Sequence, residues 1–139
     1  MKISLLCLLR QFVFVTVFLA LSVVSAHAQF SGGTGTTADP YLIATAQDLI
    51  DMRNAVYLDM HFKQTADIDL SGQTGWEPIG LLINGGFRGS YDGNGKLISN
   101  LTINKPDVDN VGLFGYVPSA ELTEEPGGVL KNITLSAPN

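Results

Sequence analysis

Leu97-Ile98-Ser99-Asn100-Leu101-Thr102-Ile103 recurs as Val129-Leu130-Lys131-Asn132-Ile133-Thr134-Leu135, every position displaced by 32. Ala66-Asp67-Ile68-Asp69-Leu70 fits onto Ser99-Asn100-Leu101-Thr102-Ile103 with a displacement of 33. A repeat of that length, made of short strands and glycine turns, closes one layer of a parallel β-solenoid in which like residues stack. The spacing therefore predicts one inward column of Ile68, Leu101 and Ile133, and a second of Leu70, Ile103 and Leu135. The competing arrangement is a sandwich of hairpins turning at Asp92-Gly93 or Asn94-Gly95. A sandwich gives no reason for one strand to recur at a fixed period, so the solenoid is preferred.

Outward from the repeat, Met60, Phe62, Gln64, Ala66, Ile68 and Leu70 alternate with His61, Lys63, Thr65, Asp67 and Asp69. That period of two is strand patterning. Upstream, Tyr41-Leu42-Ile43 reads as a short strand, and Thr45 with Asp48 forms a capping-box signal for a helix. Leu49, Met52 and Val56 continue that helix to residue 56. The stretch from Phe30 to Pro40 is rich in glycine and threonine and reads as an extended lead-in without core residues. Turn chemistry at Ser71-Gly72, Gly85-Gly86, Asp92-Gly93, Asn94-Gly95 and Gly127-Gly128 cuts the rest into short strands. Three segments follow: an export signal over 1–28, a lead-in and N-terminal cap over 29–56, and stacked strands over 57–139.

The signal reading rests on Lys2 and Arg10, an apolar run from Phe12 to Val24, and Ala26-His27-Ala28 ahead of Gln29. The apolar run is shorter than the ~20 residues of a membrane span, so no span is expected after cleavage. Cleavage would leave 139 − 28 = 111 residues carrying all 15 glycines and all 6 prolines. These 111 residues hold 6 basic and 13 acidic side chains, a net charge of −7. An acidic surface repels phosphate backbones, which argues against nucleic acid as a partner. The single cysteine, Cys7, lies in the signal, so the remainder has no disulfide, thiol nucleophile or thiolate ligand.

No catalytic constellation is legible. His61 is the sole histidine beyond the signal and stands on the outward register of its strand. There is no His-Glu-x-x-His motif and no Gly-x-Ser-x-Gly elbow. Asp67 and Asp69 could serve a polysaccharide lyase or hydrolase, but the repeat places Asn100 and Asn132 over Asp67 and Thr102 and Thr134 over Asp69. No column of carboxylates would form, and the asparagines read as structural. Asp92-Gly93-Asn94-Gly95 lacks the later ligands of a calcium loop and reads as a turn. Trp76 and Phe87 are expected in the core. Tyr91, Tyr116 and the acidic run Glu121, Glu124 and Glu125 are the expected contact surface, with no metal or cofactor.

Phe30-Ser31-Gly32-Gly33-Thr34-Gly35-Thr36, Asp39-Pro40-Tyr41-Leu42-Ile43, Ala66-Asp67-Ile68-Asp69-Leu70-Ser71-Gly72, Trp76-Glu77-Pro78-Ile79-Gly80, Phe87-Arg88-Gly89, Tyr91-Asp92-Gly93-Asn94-Gly95 and Gly112-Leu113-Phe114-Gly115 together resemble, in order, the start of GLUG-motif repeat proteins. The chain departs from that pattern by stopping soon after its first Gly-Leu-Phe-Gly and by the longer acidic loop from Val117 to Gly128. The resemblance implies a bacterial exported or cell-surface protein whose repeats form a right-handed parallel β-helix. Some relatives of that kind carry an immunoglobulin-cleaving metalloprotease domain, whose chemistry has no residues here to carry it. The expected function is a non-enzymatic adhesion or structural module meeting a surface glycan or a host or neighbouring protein. The alternative is an accessory repeat segment of a larger exported enzyme, either a metalloprotease or a polysaccharide-degrading one.

Overall fold

The computed structural model describes residues 29–120 and 127–136. The expected export signal and Glu121, Glu124 and Glu125 lie outside the described residues. The elements are β1 (Tyr41–Ile43), α1 (Ala46–Asp51), β2 (His61–Gln64), β3 (Ile68–Asp69), β4 (Ser90–Asp92), β5 (Leu97–Ser99), β6 (Val129–Lys131) and β7 (Thr134–Leu135). Two 3₁₀ turns, Ala55–Tyr57 and Leu82–Asn84, complete the set.

From β2 onward the chain alternates between two sheets. One has the order β1-β2-β4-β6 and the other β3-β5-β7. Every strand pair is parallel, and each sheet adds its strands in chain order. Parallel neighbours need a crossover of a dozen residues or more, and here each crossover from β2 onward carries a strand of the other sheet. A third parallel contact joins Ile79 to Phe114. β4 and β5 flank the Asn94-Gly95 turn but lie in different sheets, so the hairpin is not formed.

The alternation from Met60 to Leu70 is matched by burial: Phe62, Gln64, Ile68 and Leu70 are buried, and Lys63, Thr65, Asp67 and Asp69 are exposed. Inward side chains form columns in register. Tyr41, Phe62, Tyr91 and Leu130 face one another across the first sheet, and Ile68, Ile98 and Leu135 across the second. The expected columns through Leu101 and Ile133, and through Ile103 and Leu135, are therefore corrected. The displacement of 32 matches β5 to β6, which belong to different sheets.

What the two copies share is a strand followed by an asparagine corner. Asn100 and Asn132 have φ of 59° and 53°, a left-handed conformation that asparagine tolerates better than most residues. Each donates its side-chain amide to an aspartate of the preceding strand in its own sheet: Asn100 Nδ2 to Asp69 Oδ1 at 2.8 Å, and Asn132 Nδ2 to Asp92 Oδ1 at 2.9 Å. The partners are 31 residues apart in one case and 40 in the other, so loop length varies between layers while the corner is kept.

The N-terminal end is closed by more than the expected strand and helix. The capping box is present: Asp48 N–H donates to Thr45 Oγ1 at 3.1 Å, and Asp48 Oδ2 accepts from Thr45 N–H at 2.9 Å. The helix stops at Asp51, and Asn54 caps a separate 3₁₀ turn. Val56 is consequently 65% exposed rather than on an inward helical face. The lead-in also differs from expectation. Ser31 N–H and Gly32 C=O bond to Leu42, covering the free edge of β1. Phe30 is buried and stacks 4.5 Å from Tyr41 and 5.0 Å from Tyr57, ring centre to ring centre.

The aromatic run continues from Phe62 through Phe87 to Phe114 and Tyr91. Trp76 and Phe87 are core, as expected. Successive layers touch so closely that a Cβ on Gly89 would collide with the Met60 carbonyl, and one on Gly128 with that of Phe87.

Candidate contact surface

Position 91 is not available for contact. Ser90 and Asp92 are the outward neighbours of an inward Tyr91, which is fully buried. Its hydroxyl donates to Gln64 Oε1 at 2.9 Å, and Gln64 Nε2 donates to the carbonyls of Ala66 and Leu97 at 2.9 and 3.2 Å. Burial, and secondarily the charge of Asp92, push the phenol well above its ordinary pKa. Tyr91 is thus a core residue with a satisfied polar end, and its expected place in the contact surface is corrected.

Tyr116 is half-buried. Its backbone N–H donates to Gly80 C=O at 2.7 Å and its C=O accepts from Phe87 N–H at 2.8 Å, while its ring lies against Gly86. This position between two loops leaves only part of the residue to solvent. Tyr91 and Tyr116 therefore do not form a shared contact surface.

The outward side of the first sheet supplies the surface that sequence reasoning missed. In register across β2, β4 and β6 stand His61, Ser90 and Val129, and beside them Lys63, Asp92 and Lys131. His61 bridges two segments: Nδ1 lies 2.8 Å from Ser90 Oγ, and Nε2 lies 2.9 Å from Thr37 Oγ1. The ring so ties the lead-in to β4 from the outward register of its strand, where it is half-buried. The second row alternates in charge, with Lys131 Nζ 3.2 Å from Asp92 Oδ2. Asp92 is held below the usual carboxylate range, chiefly by the Asn132 amide, with burial opposing it and the Asn94 N–H and Lys131 adding to it. Strict alternation around Phe62 was the available signal for this face.

Asp67 and Asp69 occupy structural hydrogen bonds. Asp67 Oδ1 accepts from Leu97 N–H at 2.9 Å. Asp69 accepts from Asn100 Nδ2, from Ser71 N–H at 2.9 Å and from Ser71 Oγ at 3.1 Å. These bonds, led by Asn100, lower its pKa. Asp69 pairs with Ser99, not with Thr102, so the asparagine bonds to Asp69 rather than lying over Asp67. Among the described residues no group of three His, Cys, Asp or Glu side chains is placed to hold a metal ion. An open hollow of about 400 Å³ beside Phe30, Gln47 and Asp51 lies at the N-terminal end. Asp48 on its wall is spent on Ser31 Oγ, at 2.7 Å, and on the Ala44 and Thr45 N–H groups.

No known family model matches the chain, and no solved structure matches it. Two relatives share most of its length. A protein of Evansella cellulosilytica, provisionally named a Gly-rich membrane protein, is 39% identical over 112 residues, covering 77% of this chain and 12% of that protein. Halomucin of Haloquadratum walsbyi is 39% identical over 111 residues, covering 74% of this chain and 1% of that protein. The chain thus spans a small fraction of the length of the curated relatives it matches. Among the described residues no helix is long and apolar enough to cross a membrane.

Proposed function

We propose that the chain is a non-enzymatic module of an exported or cell-surface protein, built as a right-handed parallel β-helix of the GLUG-motif kind. Support for the architecture comes from strands that are parallel throughout and added in chain order. Support for the location comes from the names of the two relatives, one a membrane protein and the other halomucin. Their much greater length favours a segment that works within a long protein. A segment of a larger exported enzyme is the second reading, favoured by the same observation.

The observation that carries the contact role is the outward face of the first sheet, where Lys63, Asp92 and Lys131 line up beside His61 and Ser90. The inward columns are filled by aliphatic and aromatic side chains and by Gln64, whose amide is satisfied, which favours contact through a face over enclosure of a small ligand. With two lysines about one aspartate, that face suits neutral glycans or acidic protein patches, and multiple copies would raise avidity. The test is a glycan and extracellular-protein array probed with residues 29–139, monomeric and multimerised, against a Lys63→Glu/Lys131→Glu variant. Multimer-dependent signal that the variant loses supports the contact role; signal on no ligand overturns it. Hydrolysis of casein or of acidic glycans that disappears in Asp67→Asn or Asp69→Asn would overturn the non-enzymatic reading.

A further inference from the structure

A glycine after asparagine presents a backbone nitrogen with no side chain to shield it, and that nitrogen can attack the asparagine side chain. The chain has two such pairs, Asn84-Gly85 and Asn94-Gly95, and the fold treats them differently. Asn94 stands on the corner between β4 and β5 and is held from both neighbouring layers. Its Nδ2 donates to the Gln64 carbonyl at 3.1 Å and its N–H to Asp92 Oδ1 at 2.9 Å, while Gly95 N–H donates to the Asn132 carbonyl at 3.4 Å. Bringing Asn94 Cγ onto the Gly95 nitrogen would break the bonds to Gln64 and to Asn132.

Asn84 ends the 3₁₀ turn Leu82–Asn84, in which no residue is buried. Its side chain is exposed and makes no hydrogen bond among the described residues. Gly85 N–H is held by one bond, to the Leu82 carbonyl at 3.0 Å. Leu82 and Ile83 are already 60% and 88% exposed, so opening this turn wets no buried apolar surface and costs little. We propose that Asn84 is a site of spontaneous covalent modification, its amide converted to a carboxylate through a cyclic imide, while the stack protects Asn94. The Gly85 nitrogen gives its proton to water or hydroxide and bonds to Asn84 Cγ, and the side-chain nitrogen leaves as ammonia. Water then adds to either imide carbonyl and breaks its C–N bond, leaving aspartate or isoaspartate at position 84. The new carboxylate stays in solvent near Arg88, whose guanidinium lies against Gly85 and pairs with Asp59. Because the turn packs nothing into the core, the stack survives the change.

Trypsin separates the two pairs. Cleavage after Lys63, Arg88 and Lys96 yields residues 64–88, with Asn84 as the sole asparagine, and residues 89–96, with Asn94 as the sole one. The purified protein is held in mildly alkaline buffer, either folded or in concentrated urea, and sampled over days by mass spectrometry of these two peptides. Circular dichroism verifies that the first sample stays folded, and an isoaspartate-specific methyltransferase marks the iso product. Only the amide-to-acid change raises the mass, so isomerisation at Asp92-Gly93 does not interfere. In urea both peptides should gain acid at comparable rates. In the folded protein residues 64–88 should gain it faster than residues 89–96 by about tenfold or more, as the difference in local opening requires, and Asn84→Gln should silence the gain. Comparable rates for the two peptides in the folded protein, or no gain in residues 64–88 there while the same peptide changes in urea, overturns the proposal.

Discussion

The Tyr91 hydroxyl and Gln64 Oε1 meet at 2.9 Å where both side chains are fully buried. Because Gln64 also donates to the Leu97 carbonyl, this contact ties β2 and β4 of one sheet to β5 of the other. A buried polar group is tolerated when its partners are all made, and then it specifies one packing.

Tyr91→Phe removes the donor and leaves Gln64 Oε1 without its partner. The expected loss is about 1–3 kcal/mol, the range for orphaning a buried acceptor, measured by urea denaturation at neutral pH. The phenol also sets an alkaline limit. Its folded pKa is raised from 10.0, so between the two values the unfolded chain releases a proton that the folded chain keeps, and stability falls as pH rises. Wild type should lose stability above about pH 10, and Tyr91→Phe should lose less over the same interval.

At acid pH the aspartate corners act with the opposite sign. Asp69 and Asp92 have folded pKa values below 3.8, so their contribution is complete above the unfolded value and disappears as pH falls through the folded one. Denaturation midpoints should hold from pH 7 to about pH 4 and drop below it. The Asp69→Asn/Asp92→Asn double variant should show a shallower acid drop.

The corner asparagines separate two effects. Asn100→Ala loses the bond to Asp69 and forces alanine into φ near 59°; Asn100→Gly loses only the bond. Alanine should be less stable than glycine by roughly 1 kcal/mol, the cost of a left-handed conformation for a residue with a Cβ. Equal stabilities would remove the backbone argument.

Phe30 tests the lead-in. Its ring is buried against Tyr41, Tyr57 and Phe62, so Phe30→Ala should cost about 3–5 kcal/mol, a large share of the ~5–15 kcal/mol total of a small domain. Thermal or urea melts read this directly, and a change under 1 kcal/mol would return residues 30–40 to the status of a tail.

The pattern of burial from Phe62 to Leu70 was legible because each strand has one wet side. The same rule applied to Ser90-Tyr91-Asp92 places the tyrosine inside, but the glycines beside it carry a turn signal that masks the alternation. Register was less legible. The 32-residue match aligned two strand-and-asparagine corners that the fold puts in different sheets, since loops of unequal length separate the layers. Phe30 was obscured for another reason: one aromatic among glycines has no periodicity, and its burial depends on Tyr41 and Tyr57 arriving from elsewhere. Of the expected contact residues, Tyr91 is core and Tyr116 half-buried; alternation alone makes Lys63, Asp92 and Lys131 outward, and only the register puts them in one row.

Successive strands stack in parallel. Isotope-edited NMR of residues 29–139, with the isoleucine and leucine methyl groups labelled, tests it most directly. The Ile98 methyls should contact both Ile68 and Leu135, as the register Ile68–Ile98–Leu135 requires. Contacts from Ser90–Asp92 to Leu97–Ser99 in an antiparallel pattern across Asn94-Gly95, with none between Ile68 and Ile98, would contradict it.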